Sequence, residues 1–121
     1  MPNRVNHFEV IGRDGRKLQE FYKKVFQWKI DSNNEMSYGM ISAPEGGIGG
    51  GIGAAPPNRE PHGVTFYVEV SRLEDTLREV ESAGGKTVMP PSDVPGGPRI
   101  AMFTDPEGHL IGLTQTGTMR G

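Results

Sequence analysis

The residues with the clearest chemical potential lie near the start of the chain. His7 and Glu9 stand two positions apart in residues 5–10, a segment rich in Val and Phe. Side chains two apart in a strand share one face, so an imidazole and a carboxylate would be neighbours there. Such a pair can bind a cation or transfer protons. The plainer interpretation is that Glu9, like Glu69 later in the chain, lines a wet sheet face and forms hydrogen bonds on it.

A related pattern occurs again in the second half of the chain. Aligning His7 with Thr65 gives an offset of 65 − 7 = 58 residues, close to half of the 121. The odd-numbered residues of segment 64–70 then share the equivalent face: Thr65, Tyr67 and Glu69. The even-numbered residues turn toward the helices: Phe8, Val10, Phe66, Val68 and Val70. Charged groups are rarely buried unpaired, so this arrangement favours a polar, ligand-accommodating cleft over a polar core.

Two amphipathic helices must hold these strands in place. In the first, residues 14–26, the i, i+3, i+4, i+7 spacing marks an apolar face made of Leu18, Phe21, Tyr22 and Val25. Asp14 is the candidate N-cap. In the second, residues 71–83, the start reads as a capping box over residues 71–74 and Gly84-Gly85 as a left-handed stop.

Strand candidates surround the helices, at about residues 4–11, 27–32, 36–42, 48–54, 63–70, 86–90, 99–104 and 109–115. Turn residues separate them, Pro90-Pro91 among these. The order is strand, helix and three strands, used twice. We therefore predict one domain over residues 1–121, with a first module at about 1–55 and a second at about 62–117.

Composition narrows the class of protein. The 121 residues are enough for one domain with a core. Thirteen basic and 15 acidic residues leave a net charge of −2 with no basic cluster, which argues against a nucleic-acid partner. The absence of cysteine excludes disulfides and thiolate metal sites. No apolar run approaches the roughly 20 residues of a membrane span, so we expect a cytoplasmic protein with no membrane partner.

Six short motifs follow one another along the chain: Val5-Asn6-His7-Phe8, Phe21-Tyr22, Val25-Phe26-Gln27-Trp28, Phe66-Tyr67-Val68-Glu69-Val70, Ala83-Gly84-Gly85 and Asp105-Pro106-Glu107-Gly108-His109-Leu110-Ile111-Gly112-Leu113. Their order and spacing resemble the vicinal oxygen chelate superfamily, which includes glyoxalase I, extradiol dioxygenases and bleomycin-resistance proteins. The resemblance covers nearly the whole chain. It implies an α+β fold in which two βαβββ modules form a half-open, eight-stranded mixed barrel with the helices outside.

The resemblance also implies where a metal would be bound. Metal-using members hold a divalent ion with one side chain from each of strands one, four, five and eight, usually His or Gln together with Glu. Here the first, fifth and eighth positions fall on His7, Thr65 and Gly112, and the fourth strand offers no acid. Three of the four positions cannot supply a strong ligand. We expect no metal and no cofactor; a divalent metal held by His7 in a non-standard site is the alternative.

A glycine-rich tract covers residues 46–53, where the fourth strand is expected. It lacks the Gly-Lys-Ser/Thr sequence of a phosphate loop, and no helix follows it. We interpret it as a strand whose missing side chains let another backbone or a ligand come close, which would enlarge a pocket.

Two histidines outside these strands carry weaker signals. Asp105 begins a segment that suits a type I turn, so we expect Asp105 to form the turn and His109 to be exposed beside it. His62, three residues before Thr65, is expected either in a solvated loop or at the entrance of the cleft.

The candidate ligand pocket consists of His7, Glu9, Trp28, Tyr38, Thr65, Tyr67, Glu69, Met102 and Gly112. Trp28 and Met102 also suit an ordinary core. The favoured function is binding of a small apolar or aromatic molecule in the cleft between the modules, without a metal, as antibiotic-sequestering members do. The alternatives are a metal-dependent lyase, isomerase or dioxygenase that uses His7, and a non-catalytic interaction module. The residues do not decide whether the chain is an enzyme, and the resemblance implies a homodimer.

Overall fold

A computed structural model describes residues 2–61 and 63–118. His62 therefore lies outside the described residues. The chain divides into two compact units. The N-terminal unit consists of residues 7–65, and the C-terminal unit consists of residues 66–118 together with residues 2–6.

The N-terminal unit contains one helix and four strands: β1 (Val5–Gly12, of which the unit holds His7 onward), α1 (Gly15–Phe26), β2 (Ile30–Asp31), β3 (Gly39–Ile41) and β4 (Gly49–Ala54). The strand order is β2-β3-β4-β1, in which β1 and β4 run parallel and the other pairs are antiparallel. The glycine-rich tract thus forms the predicted strand β4, next to the strand that carries His7 and Glu9.

The C-terminal unit repeats this order with β5 (Gly63–Val70, of which the unit holds Phe66 onward), α2 (Leu73–Ser82), β6 (Lys86–Asp93), β7 (Arg99–Thr104) and β8 (Leu110–Gln115). Its strand order is β5-β8-β7-β6, with β5 and β8 parallel. The elements confirm the predicted α+β class with two βαβββ modules. No helix in the described residues is long and apolar enough to cross a membrane.

Pro90 and Pro91 were predicted to mark a turn, but both lie within β6. This strand stands at the end of the order β5-β8-β7-β6, and its pairing with β7 shifts register between Thr87 and Met89 and again between Met89 and Ser92. Proline lacks the N–H of a regular ladder, so it is tolerated at bulges and on edge strands. Strand β6 therefore continues through the two prolines with irregular pairing and does not end at them.

Helix α1 begins as predicted, but only Leu18 and Tyr22 of its predicted apolar face are partly buried. The Asp14 side chain accepts a hydrogen bond from the Lys17 N–H, which confirms the N-cap. However, Phe21 is 56% exposed and Val25 52% exposed, although both belong to the predicted apolar face. The buried side chain of the helix is Gln19, whose Nε2 donates to the carbonyl oxygens of Ser37 (3.0 Å) and Ile52 (2.8 Å). Hydrogen bonds to the backbone thus hold α1 where apolar packing was expected.

Helix α2 packs more conventionally, on a core of Val70, Leu73, Leu77, Ala101 and Leu113. The predicted capping box at residues 71–74 is wrong. The helix starts at Leu73, and Arg72 occupies the N-cap position without a side-chain bond. The first free amide, that of Leu73, instead donates to the Gln115 side chain at 3.1 Å. The predicted stop is confirmed, with Gly84 at a φ of +102° and the Gly85 N–H bonded to the Val80 carbonyl.

The strand β5 departs from the predicted facing. Val68 and Val70 pack with the α2 core, as expected for residues that turn toward a helix. Phe66 does not follow them, because it is 43% exposed. Thr65 and Tyr67, which were expected to share the face of a ligand-accommodating cleft, are both buried.

Candidate functional site

A hydrogen-bonded chain links His7, Tyr38 and Glu9 in the N-terminal unit. The Tyr38 hydroxyl donates to Glu9 Oε2 at 2.8 Å, and His7 Nε2 lies 3.2 Å from the same hydroxyl. Because the hydroxyl has one proton and gives it to Glu9, His7 must donate through Nε2–H. The two β1 side chains therefore share a face, as the alternation predicted, and Tyr38 joins them.

Burial determines the charge state of this chain of groups. Glu9 is only 9% exposed, and His7 is partly buried beside it. Desolvation lowers the pKa of His7 below its ordinary value of 6.5, and the Glu9 charge opposes this shift as the smaller effect. At neutral pH, His7 is an uncharged donor and not a second charge for Glu9 to balance.

Tyr38 is held in position by the loop that precedes β3. The Asn34 side chain bonds to both backbone groups of Tyr38: its Oδ1 accepts from the Tyr38 N–H at 3.0 Å, and its Nδ2 donates to the Tyr38 carbonyl at 2.7 Å. Ser37 adopts a left-handed conformation with a φ of +53°, and its carbonyl accepts the bond from Gln19. These contacts fix the direction in which the Tyr38 ring leaves the backbone.

The ring of Tyr38 lies over the glycines of β4. A Cβ built on Gly51 would overlap the Tyr38 hydroxyl and Cζ, and one on Gly53 would lie 2.9 Å from Cδ1. Gly51 is also the register partner of Glu9. The missing side chains of the tract thus allow a close approach, as predicted, but the group that approaches is the chain's own tyrosine.

The C-terminal unit contains a matching arrangement. Tyr67 is the register partner of Gly112, and a Cβ on Gly112 would overlap its ring at Cδ2 and Cε2. Met102 pairs with Gly112 from the other side, and Tyr67 and Met102 are 6% and 9% exposed. Three predicted pocket residues therefore form one buried row across β5, β8 and β7.

The matching registers locate the fourth metal position that the sequence left open. Gly51 faces Glu9 between parallel strands β1 and β4, just as Gly112 faces Tyr67 between parallel strands β5 and β8. Both positions lack a side chain, and a phenol ring fills the space beside each. Within residues 2–61 and 63–118, no three His, Asp or Glu side chains converge as metal ligands would. Of the four positions that the metal-using members use, only His7 carries a strong metal-ligating side chain in this sequence.

Two further pocket candidates, Trp28 and Glu69, contact other residues within their own units. Trp28 stacks on Tyr22 of α1 (centroids 5.6 Å apart) and contacts Phe8 at 5.5 Å, on the face of β1 opposite to His7 and Glu9. Glu69 accepts from Arg4 Nε at 2.7 Å. The structure therefore brings together His7, Glu9 and Tyr38 in one unit and Tyr67, Met102 and Gly112 in the other.

The turn at residues 105–108 behaves as predicted. The Asp105 carboxylate accepts from the backbone N–H groups of His109 (2.9 Å) and Glu107 (3.0 Å). The His109 N–H is the largest cause of the lowered pKa of Asp105. The His109 side chain is 69% exposed and lies 3.0 Å from the same carboxylate. Both residues thus shape the turn.

Two polar residues that position the site escaped sequence reasoning. Gln19 stands within a helix whose apolar spacing pointed elsewhere, and Asn34 stands in a loop without a motif. The only signal for Gln19 was its position next to Leu18, at the edge of the predicted apolar face of the helix, and this signal was weak.

The lowered pKa of His7 predicts how stability depends on pH. Below about pH 6.5 the unfolded chain binds a proton at His7 that the folded chain resists, so the free energy of unfolding falls as the pH drops through this window. His7→Gln keeps an N–H donor for Tyr38 and should flatten this dependence. Urea denaturation between about pH 5 and pH 8 measures the effect. An unchanged slope in His7→Gln would contradict the expectation.

Two curated relatives match parts of the sequence. The "Putative glyoxylase CFP32" of Mycobacterium tuberculosis (strain CDC 1551 / Oshkosh) is 28% identical over 117 residues, which are 91% of this chain and 44% of CFP32. The "Anthracycline biosynthesis protein DnrV" of Streptomyces peucetius is 35% identical over 69 residues, which are 54% of this chain and 25% of DnrV. The chain thus spans less than half the length of these relatives.

Solved structures and a family model agree on the fold. The hypothetical protein BH1468 from Bacillus halodurans C-125 aligns with a TM-score of 0.73 at 14% identity, over 100% of this chain and 99% of that one. Methylmalonyl-CoA epimerase from Mycobacterium tuberculosis aligns with a TM-score of 0.67 at 18% identity, over 92% and 86%. Identities this low show a shared fold alone. The model of the Glyoxalase/Bleomycin resistance protein/Dioxygenase superfamily matches residues 4–113, and the chain therefore belongs to that superfamily.

Proposed function

We propose that this protein binds a small aromatic or otherwise apolar molecule without a metal ion, on the face of the N-terminal unit that carries Tyr38. The observation that carries the proposal is the Tyr38 ring lying over Gly51, where a metal-using member would have a carboxylate. A phenol ring offers a flat apolar surface on which another ring can stack, and the hydroxyl at the end of this ring is hydrogen-bonded to His7 and Glu9.

The local composition of the face supports an aromatic ligand with a polar end. Ile11, 9% exposed, approaches the site of a Gly53 Cβ at 3.6 Å, so it extends the apolar surface beside the Tyr38 ring. His7 and Glu9, which both bond to the Tyr38 hydroxyl, make that end of the ring polar. The name of the relative DnrV places that protein in the biosynthesis of anthracyclines, which are fused-ring aromatic compounds. This points to the same ligand class.

The test is the affinity of the protein for two aromatic probes, 2-naphthol and 1-hydroxyanthraquinone, measured by fluorescence with and without a chelator. Tyr38→Ala removes the ring and should weaken binding of both by about tenfold or more, because stacking and apolar contact are lost together. Tyr38→Phe keeps the ring and should weaken binding less. Tyr22→Ala, which removes a ring on the opposite face, is the matched control and should bind as the wild type does.

Three results would overturn the proposal. They are binding that disappears with the chelator, a Tyr38→Ala variant that binds as well as the wild type, and a wild-type protein that binds neither probe.

A further inference from the structure

Thr65 on β5 is a buried polar residue whose hydroxyl has no hydrogen-bond partner. The residue is 3% exposed, and no described residue of the chain bonds to its Oγ1. The apolar residues on either side of it in the strand are the exposed ones, with Val64 74% exposed and Phe66 43%. A hydroxyl closed off from water with nothing to bond to loses its hydration and gains nothing in return.

Valine would avoid this cost. It has nearly the shape of threonine, it favours strands at least as strongly, and it carries no polar atom. A threonine hydroxyl at such a position calls for a partner outside the described residues of the chain. Buried unpaired groups of this kind call for a specific explanation, because proteins contain few of them.

Thr65 belongs to the same compact unit as His7, Glu9 and Tyr38. We infer that the molecule bound by this unit carries a neutral oxygen, a carbonyl or a hydroxyl, that forms a hydrogen bond with Thr65 Oγ1. The oxygen is neutral because Thr65 brings no charge to offset the burial of an ion. This inference rests on the proposed function and narrows its ligand class to oxygenated aromatic compounds.

The experiment combines two variants with two probes that differ in one oxygen, 2-naphthol and naphthalene. Thr65→Val should raise the melting temperature of the free protein by about 2–6 °C, because it removes the unpaired hydroxyl. The same variant should weaken binding of 2-naphthol by about tenfold and leave binding of naphthalene within about twofold. Thr65→Ser keeps the hydroxyl and should retain the preference for 2-naphthol.

The outcomes separate this inference from the function on which it rests. If Thr65→Val melts below the wild type, the hydroxyl already has a partner in the free protein, such as a bound water, and the inference is wrong. If Thr65→Val weakens both probes equally, or neither, the inference is also wrong while the proposed function stands. If the wild type binds neither probe, the proposed function fails and the inference fails with it.

Discussion

Gly51→Ala is expected to destabilise the protein by about 2–5 kcal/mol, which is a large share of the stability of a small domain. Its Cβ would overlap the hydroxyl and Cζ of Tyr38. The ring cannot move aside without losing its hydrogen bonds to Glu9 and His7, and Glu9 is buried. A carboxylate left without its donor in a buried position adds to the steric cost. Urea denaturation of the single variant measures the loss.

A double-mutant cycle identifies Tyr38 as the cause. In a Tyr38→Ala background the space above Gly51 is open, so adding Gly51→Ala should cost little, and the coupling between the two positions should be about 2 kcal/mol or more. The backbone at Gly51 does not need the left-handed region, so alanine brings no strain of its own. A Gly51→Ala cost that is the same in both backgrounds would show that the tyrosine does not occupy this space.

Gly112→Glu, which restores the glutamate of metal-using members, is expected to destabilise the protein by more than about 3 kcal/mol, and added metal should not reverse the loss. The new side chain would overlap the buried ring of Tyr67 and place a carboxylate beside Met102. Neither Tyr67 nor Met102 carries a positive charge that would balance that carboxylate. Thermal melts with and without nickel or zinc measure both parts of the expectation.

Val88→Glu provides the matched control for Gly112→Glu. Val88 lies in strand β6 of the same unit and is 56% exposed, so the same charge there should cost less than about 1 kcal/mol. If Gly112→Glu were as stable as Val88→Glu, or if metal raised its melting temperature to the wild-type value, the account of Tyr67 as the occupant would be wrong.

Local patterns in the sequence predicted the elements well. The Asp14 cap and the Gly84 stop depend on residues within a few positions of each other, and both are confirmed. The capping of α2 was missed because the Leu73 amide bonds to Gln115, 42 residues away. Such a partner leaves no local signal.

In the candidate site, too, local patterns were predicted and contacts between distant residues were missed. Strand alternation placed His7 and Glu9 on one face, which the shared Tyr38 hydroxyl bears out. No local pattern connected Tyr38 to them, because the direction of its ring depends on the two hydrogen bonds from the Asn34 side chain and on the left-handed backbone of Ser37. The buried Gln19 was hidden for a related reason, since helix periodicity assigns burial to apolar residues and not to an amide that bonds two carbonyls. The homodimer implied by the resemblance stays a prediction.

The central claim is that tyrosine rings occupy the places of two metal ligands in a chain that keeps the superfamily fold. The most direct test is the melting temperature of untagged protein with nickel, zinc, manganese or iron added, and after treatment with a chelator. A metal present at about 100 times its dissociation constant would add about 2.7 kcal/mol, enough for a clear upward shift. The account predicts a change of less than about 1 °C in every case. A rise of several degrees with any of these metals, reversed by the chelator, would contradict it.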